Sequence, residues 1–303
     1  MNRKYTIYIF IAIIFIFILL KNFKKLVINK FTVTKGNEKV YVSLTSMYDR
    51  QENLCKTLKS ILNQTKRPNK IYLNLSEDKY LLDEGFKNKI ISNKNLSSLL
   101  KNNSDLIDVK FVENTGPYRK LLPTLKEKWN EDCLIITVDD DVEYSQDLVE
   151  KLVNDYKKYN CVIGYRGRWP NSNDKDKNLK NFNYLSLGLI KKNKSLNKYN
   201  FLTGKGSVLY HPKFFHKTGD LIFNKNIFKK TCPTNDDIWF HLIRVANNIN
   251  SYCSDTKWFL IDNTDDDKNK KLFGFNGNNI KNKDKNTIMF NDTLNELIPY
   301  IYR

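Results

Sequence analysis

Five carboxylates stand in two tight groups in this chain. Asp139, Asp140 and Asp141 follow the apolar run in ITVDDDVEY, and Asp236 and Asp237 sit together in CPTNDDIWF. Three adjacent carboxylates repel one another, so a chain that sets them directly after a buried-looking segment must bring positive charge to them. A hard dication meets that need, because Mg²⁺ or Mn²⁺ takes one or two carboxylates and completes its octahedron with water and phosphate oxygens. Asp139 and Asp141, two residues apart, are spaced to address one ion from an irregular turn, while Asp140 faces elsewhere. For the second pair, Thr234 as N-cap would put Asp237 at N3, where a carboxylate satisfies helix N–H groups.

Alternating strand and helix patterns supply the elements that must hold these groups. Strands are expected at KVYVSLT (39–45), KIYLNLS (70–76), DVKFVE (108–113) and CLIITVD (133–139). Helices are expected over about 51–63, a polar stretch near 79–101 and about 118–129. This β-α-β-α-β-α-β order predicts an α/β fold with a mostly parallel central sheet flanked by helices. Ligands in such sheets bind at the carboxyl ends of the strands, which is where the acidic triplet falls. The second half adds a helix over 145–158, strands at 161–168, 184–190, 201–212 and 257–262, and a helix over about 235–247. A polar tail at 263–287 precedes a closing helix.

Composition narrows the function classes. Net charge is +18, from 51 Lys and Arg against 33 Asp and Glu, but the excess is spread through a Lys- and Asn-rich chain. No basic block interleaved with aromatics and no helix-turn-helix or zinc-knuckle spacing is present, so nucleic acid is not an expected partner. The five cysteines are scattered without a C-x-x-C pair, which excludes a zinc ribbon and a disulfide-rich scaffold. The segment Tyr5–Leu20 has no charge, Gly or Pro and is flanked by Arg3, Lys4 and Lys21. Sixteen helical residues span roughly 24 Å, short of a hydrocarbon core of about 30 Å, but thinning and snorkelling absorb the mismatch. Residues 1–38 are therefore expected to be a single-pass membrane anchor with a short basic stem, and 39–303 the catalytic domain. Gly204 and Gly206 in TGKGS lack the spacing of a phosphate loop. His211, His216 and His241 read as structural, and Asp265–Asp267 as a solvated triplet in a lysine-rich loop.

Four segments taken in order carry a resemblance: VSLTSMYDR (42–50) with SILNQTKRPNKIYLNLS after it, PYRKLLPTL (117–125), ITVDDDVEY, and the pair FLTGKGSVLYHP and CPTNDDIWF. The chain resembles nucleotide-sugar-dependent glycosyltransferases of GT-A fold, in particular small family-2-like members of bacteria and large DNA viruses, over roughly 39–262. The resemblance implies a UDP- or GDP-sugar donor over the end of the first strand, near Thr45, Ser46 and Arg50. Asp139, Asp140, Arg119 and Lys120 complete the donor side. Asp139 and Asp141 are implied as the D-x-D site of Mn²⁺ or Mg²⁺, helping the diphosphate to leave. A transferase must also activate the acceptor hydroxyl, and in an inverting enzyme a carboxylate does so on the face opposite the leaving group. The implied base is Asp237, with Asp236 as its neighbour. The helix dipole would lower its pKa. Gly204, Gly206 and Trp239 are implied on the acceptor side. No histidine follows His241, so the carboxyl-terminal histidine ligand of some GT-A enzymes has no counterpart.

Two rival readings share these residues. A sugar nucleotidyltransferase has the same sheet but normally carries a G-x-G-T-R loop after the first strand, which VSLTSMYDR lacks. A catalytically silent carbohydrate-binding protein of the same fold is separated from an enzyme only by metal-dependent hydrolysis of a sugar nucleotide. The sequence names neither the sugar nor the acceptor, whether glycan, lipid or protein.

Overall fold

The computed structural model describes residues 38–170, 179, 187–189, 196–254, 261–262 and 284–302. The candidate anchor, the polar loop after Pro170 and the triplet Asp265–Asp267 lie outside the described residues. Among the described residues, no helix is long and apolar enough to cross a membrane. The chain divides into two compact units, Met1–Glu38 and Lys39–Arg303, and the second is described here.

The amino-terminal half runs β1 (Lys39–Leu44), α1 (Gln51–Leu62), β2 (Lys70–Leu75), α2 (Lys94–Asn102), β3 (Ile107–Phe111), α3 (Leu122–Glu127) and β4 (Cys133–Thr137). Next come β5 (Val142–Glu143), α4 (Leu148–Tyr159), β6 (Val162–Gly164), β7 (Gly167–Pro170), β8 (Leu187–Leu189), β9 (Phe201–Leu202) and β10 (Val208–Tyr210). The chain then forms α5 (Lys225–Thr231), α6 (Asp236–Ala246), β11 (Ser251–Cys253), β12 (Ile261–Asp262) and α7 (Lys285–Ile301). The main sheet has the order β11-β6-β10-β4-β1-β2-β3. Its pairs are parallel except those that β10 makes with β4 and β6. The expected mostly parallel α/β sheet is therefore present, with a reversed strand in it that the sequence pattern did not indicate.

Strands covered on both faces read as continuous apolar runs. In β1 and β2 every residue after the first is buried, and all of β4 is. Helix α1 lays Leu54, Leu58 and Ile61 on one buried face, the spacing of an amphipathic helix. Helix α4 does the same with Leu148, Leu152 and Tyr156, and ends on Asn160 in the left-handed region. The polar stretch near 79–101 is helical only from Lys94 to Asn102 apart from a short 3₁₀ turn at Lys87–Lys89. Before it, Tyr80–Asp83 bridges back on itself, and Leu81 takes a positive φ of 53°. The helix expected over 118–129 is a 3₁₀ turn at Gly116–Lys120 followed by α3, with Pro123 near its start.

Chain order places a crevice. From β1 the chain builds outward through β2 to β3, then returns to set β4 on the other side of β1, which makes the gap between β1 and β4 a switch point of the sheet. Ser43 pairs with Thr137 across that gap, so Thr45–Ser46 and Asp139–Asp141 leave the sheet side by side. The reversed strand adds a third segment. Val208 lies opposite Thr137 on β4 and Gly164 on β6, so the turn that enters β10 stands at the edge where β4 leaves.

Candidate active site

A cleft of about 430 Å³ opens at this edge, and Thr45, Ser46, Arg50, Arg119, Lys120, Asp139, Asp140, Asp141, Asp236 and Asp237 all line it. Four segments far apart in the chain are thus brought together. The positive charge that the triplet requires comes from the chain itself. Arg50 donates to Asp140 Oδ1 at 2.9 Å and lies 3.7 Å from Asp141 Oδ2, and Ser46 Oγ donates to Asp140 Oδ2 at 2.5 Å. Lys120 Nζ donates to Asp139 Oδ1 at 2.8 Å and stands 3.2 Å from Asp236 Oδ2. Burial works against the Lys120 charge, but Asp139, Asp236 and Asp237 outweigh it and hold its pKa well above the usual lysine value.

Arg119 and Lys120 are aimed by a buried polar clamp. Asn74 on β2 donates to the Arg119 carbonyl at 3.1 Å, and Ser43 on β1 donates to the Lys120 carbonyl at 2.7 Å; both bond Thr124 on α3. Thr45 Oγ1 donates to the Asn74 carbonyl at 2.6 Å, so Thr45 fixes the strand end. The clamp is absent from the sequence reading. Its signal is a polar residue at a fully buried strand position, Ser43 in KVYVSL and Asn74 in KIYLNL.

Asp83 is a second residue that the sequence reading missed. Its Oδ2 accepts from Arg119 Nη2 at 2.6 Å, and its Oδ1 accepts from the Tyr48 and Gly85 N–H groups. The Asp83–Arg119 ion pair is almost wholly buried. Arg119 therefore lines the cleft with its charge committed to Asp83, and its Nη1 is buried without a hydrogen-bond partner. The D-E-G turn signal at 83–85 is the trace it leaves in the sequence. Tyr80, Leu81 and Leu82 from the same loop give that end of the cleft an apolar wall.

On the opposite wall, the N-cap of α6 is Asn235, whose side chain accepts from the Ile238 N–H at 3.3 Å. The capping role expected of Thr234 and Asp237 is corrected accordingly: Asp236 and Asp237 occupy the first two helical positions and are released to face the cleft. Asp237 accepts instead from the Gly204 N–H, at 3.0 and 3.1 Å to its two oxygens. Its pKa is raised from 3.8 to about 7, by burial first and by the Asp236 charge second, against the pull of Lys120 and the Gly204 N–H. The sequence-based expectation of a lowered pKa is thus reversed, because desolvation and a like charge outweigh the helix terminus. Asp236 is also raised, chiefly by burial, with Lys120 opposing.

Gly204 is required where it stands. A Cβ there would press into Lys120 Nζ and lie 3.2 Å from both Asp139 Oδ1 and Asp237 Oδ1. Gly206 serves packing, since a Cβ would collide with the Arg166 backbone. Trp239 is corrected from the acceptor side to the core: it is fully buried, packs on Phe228 and donates from Nε1 to the Ile222 carbonyl at 2.8 Å. Helix α6 presents its first turn to the cleft and Trp239 points away from it. Arg166, Arg168 and Lys205 also line the cleft, beyond the sequence-based set.

Among the described residues no three metal-binding side chains converge. Asp139 and Asp141 both line the cleft, and two carboxylates are what a hard dication would take from the chain if water and phosphate supplied its other ligands.

No protein-family model matches the chain, and no curated protein matches it in sequence. Among solved structures it overlaps residues 1–349 of TarS from S. aureus with a TM-score of 0.48 at 13% identity, covering 86% of this chain and 72% of that one. For the same TarS fragment in complex with UDP the TM-score is 0.47 at 13% identity, with the same coverage. The overlap with an active-site mutant of LgtC has a TM-score of 0.39 at 11% identity, over 83% of this chain and 82% of that one.

Proposed function

We propose that the chain is a GT-A-like glycosyltransferase that moves a sugar, of hexose type, from a nucleotide-sugar donor to an acceptor hydroxyl with inversion. The observation that supports this most directly is the meeting of two acidic groups across Gly204 at the switch point of the sheet. One group adjoins Arg50 and Lys120, and the other carries a carboxylate with a pKa of about 7. A general base works best when its pKa lies near the working pH. Asp237 is the better base of its pair, because it is partly exposed in the cleft while Asp236 is buried against Lys120.

In this reading the nucleoside lies over Thr45, Ser46 and the apolar wall of Tyr80–Leu82. The diphosphate lies against Asp139 and Asp141. A bound Mn²⁺ or Mg²⁺, held by Asp141 and Asp139, would supply electrophilic help to the departing diphosphate. Asp237 takes the proton of the acceptor hydroxyl as that oxygen bonds to the anomeric carbon. The bond from that carbon to the phosphate oxygen breaks with its electron pair going to the nucleoside diphosphate. Arg50 holds Asp140 in place beneath the diphosphate. Residues 5–20 would tether this unit to a membrane as a single-pass anchor.

The test is a screen of nucleotide sugars, beginning with UDP-sugars, for Mn²⁺-dependent release of the nucleotide. Release from at least one donor, lost in Asp237→Asn when an acceptor is present, is the expected result. A chain that binds the donor and never releases the nucleotide is instead a silent carbohydrate-binding protein.

A further inference from the structure

We propose that Lys120 is a positioning residue that ties the base-bearing helix α6 to the donor-side turn after β4, and that Gly204 is the gap kept open for its ammonium group. This rests on the transferase reading for its catalytic half only.

The geometry carries the argument from backbone to side chain. The Lys120 carbonyl is fixed to β1 through Ser43, and the neighbouring Arg119 carbonyl to β2 through Asn74, so the root of the side chain belongs to the rigid sheet. From that root the ammonium reaches Asp139 at 2.8 Å and Asp236 at 3.2 Å, one on each wall. Both Lys120 and Asp236 are buried, so the pair is little screened by water. Gly204 closes the ring: its N–H holds Asp237, and its missing side chain leaves the space in which Nζ sits. Lys120 therefore sets the separation between the leaving-group side and the base. As a cation spent on two internal carboxylates, it is a structural tie more than a donor-binding group.

Removing the ammonium leaves Asp139 and Asp236 facing each other without it, and the first turn of α6 is left with the Gly204 N–H to Asp237 as its link to the β10 entry. Displacements on the scale of 1 Å cost turnover about 10²-fold. The experiment compares Lys120→Met, Gly204→Ala, Lys120→Ala and the double variant Lys120→Ala/Gly204→Ala in the full chain in detergent. One readout is amide exchange at Gly204 and Ile238. The other is UDP release from UDP-GlcNAc with Mn²⁺.

Lys120→Met and Gly204→Ala should each speed exchange at these two amides about tenfold or more, with β1 and β4 amides unchanged. They should lower kcat about 10²-fold while the donor KM stays within about threefold. Gly204→Ala should cost less than about threefold further when placed on Lys120→Ala, because the group it displaces is gone. Unchanged exchange at Gly204 and Ile238, or a Gly204→Ala effect as large without the lysine as with it, overturns the tie. Faster exchange with unaltered turnover overturns its catalytic half. If the parent releases no UDP, the transferase reading loses this donor and exchange alone judges the tie. Should Lys120→Met fail to fold, Gly204→Ala retains the lysine and decides the matter.

Discussion

The two acidic groups of the cleft are alike in sequence and unlike in surroundings. Around Asp139–Asp141 the chain supplies Arg50, Lys120 and Ser46. Around Asp236 and Asp237 it supplies a share of Lys120 and one backbone N–H. With burial and the Asp236 charge raising it and little counter-charge to oppose them, Asp237 rises to about 7. The difference teaches that the character of a carboxylate is set by who faces it across the fold, not by its neighbours in the chain.

The comparison breaks most visibly at Asp237. Asp237→Asn should lower transfer about 10²–10⁴-fold with nucleotide binding retained, and equal turnover in the variant would remove the base assignment. Asp141→Asn should lower Mn²⁺-dependent nucleotide release about 10²-fold. Release as fast as in the parent would show that the metal assignment is wrong.

Asp83→Ala, which strands the buried Arg119 charge, should lower stability by about 3–5 kcal/mol in denaturant titrations; a loss below about 1 kcal/mol would refute the ion pair as a support of the site.

A pH series sharpens the contrast between the two groups. Turnover should climb about tenfold per unit below pH 7 and level above it as Asp237 ionises. The sign for stability is opposite. The folded pKa lies above the ordinary 3.8, so the fold retains a proton that the unfolded chain has lost, and stability falls as pH rises from 3.8 to about 7. Asp237→Asn should flatten that fall, and an unchanged slope would place the titration elsewhere. The smallest effect is expected at Trp239: Trp239→Phe should cost about 1–3 kcal/mol of stability through the stranded Ile222 carbonyl and leave both KM values unaltered.

What was legible in the sequence follows from what is local. The buried strands KVYVSL and CLIIT and the triplet after the latter follow from periodicity and chain order, whereas the nearness of PYRK and NDDIW to it was implied only by the family resemblance. The reversal of β10 was not legible, because Val208–Tyr210 is as apolar as a parallel strand and its direction depends on its partners. The clamp of Ser43, Asn74 and Thr124 depends on register between three elements. Asp83 meets Arg119 across a loop that reads as a polar helix. Trp239 shows the converse: it sits beside two cleft residues in the chain, yet helical rotation turns it into the core.

The entry of β10 beside the exit of β4 also bears on what fixes the width of the cleft. Gly204 is located by ladder pairing at Val208 and by the close seating of Gly206 on Arg166, so its coordinates are inherited from the sheet. In the proposed transferase the spacing between the leaving-group side and the base would therefore be fixed by the ladder of the main sheet.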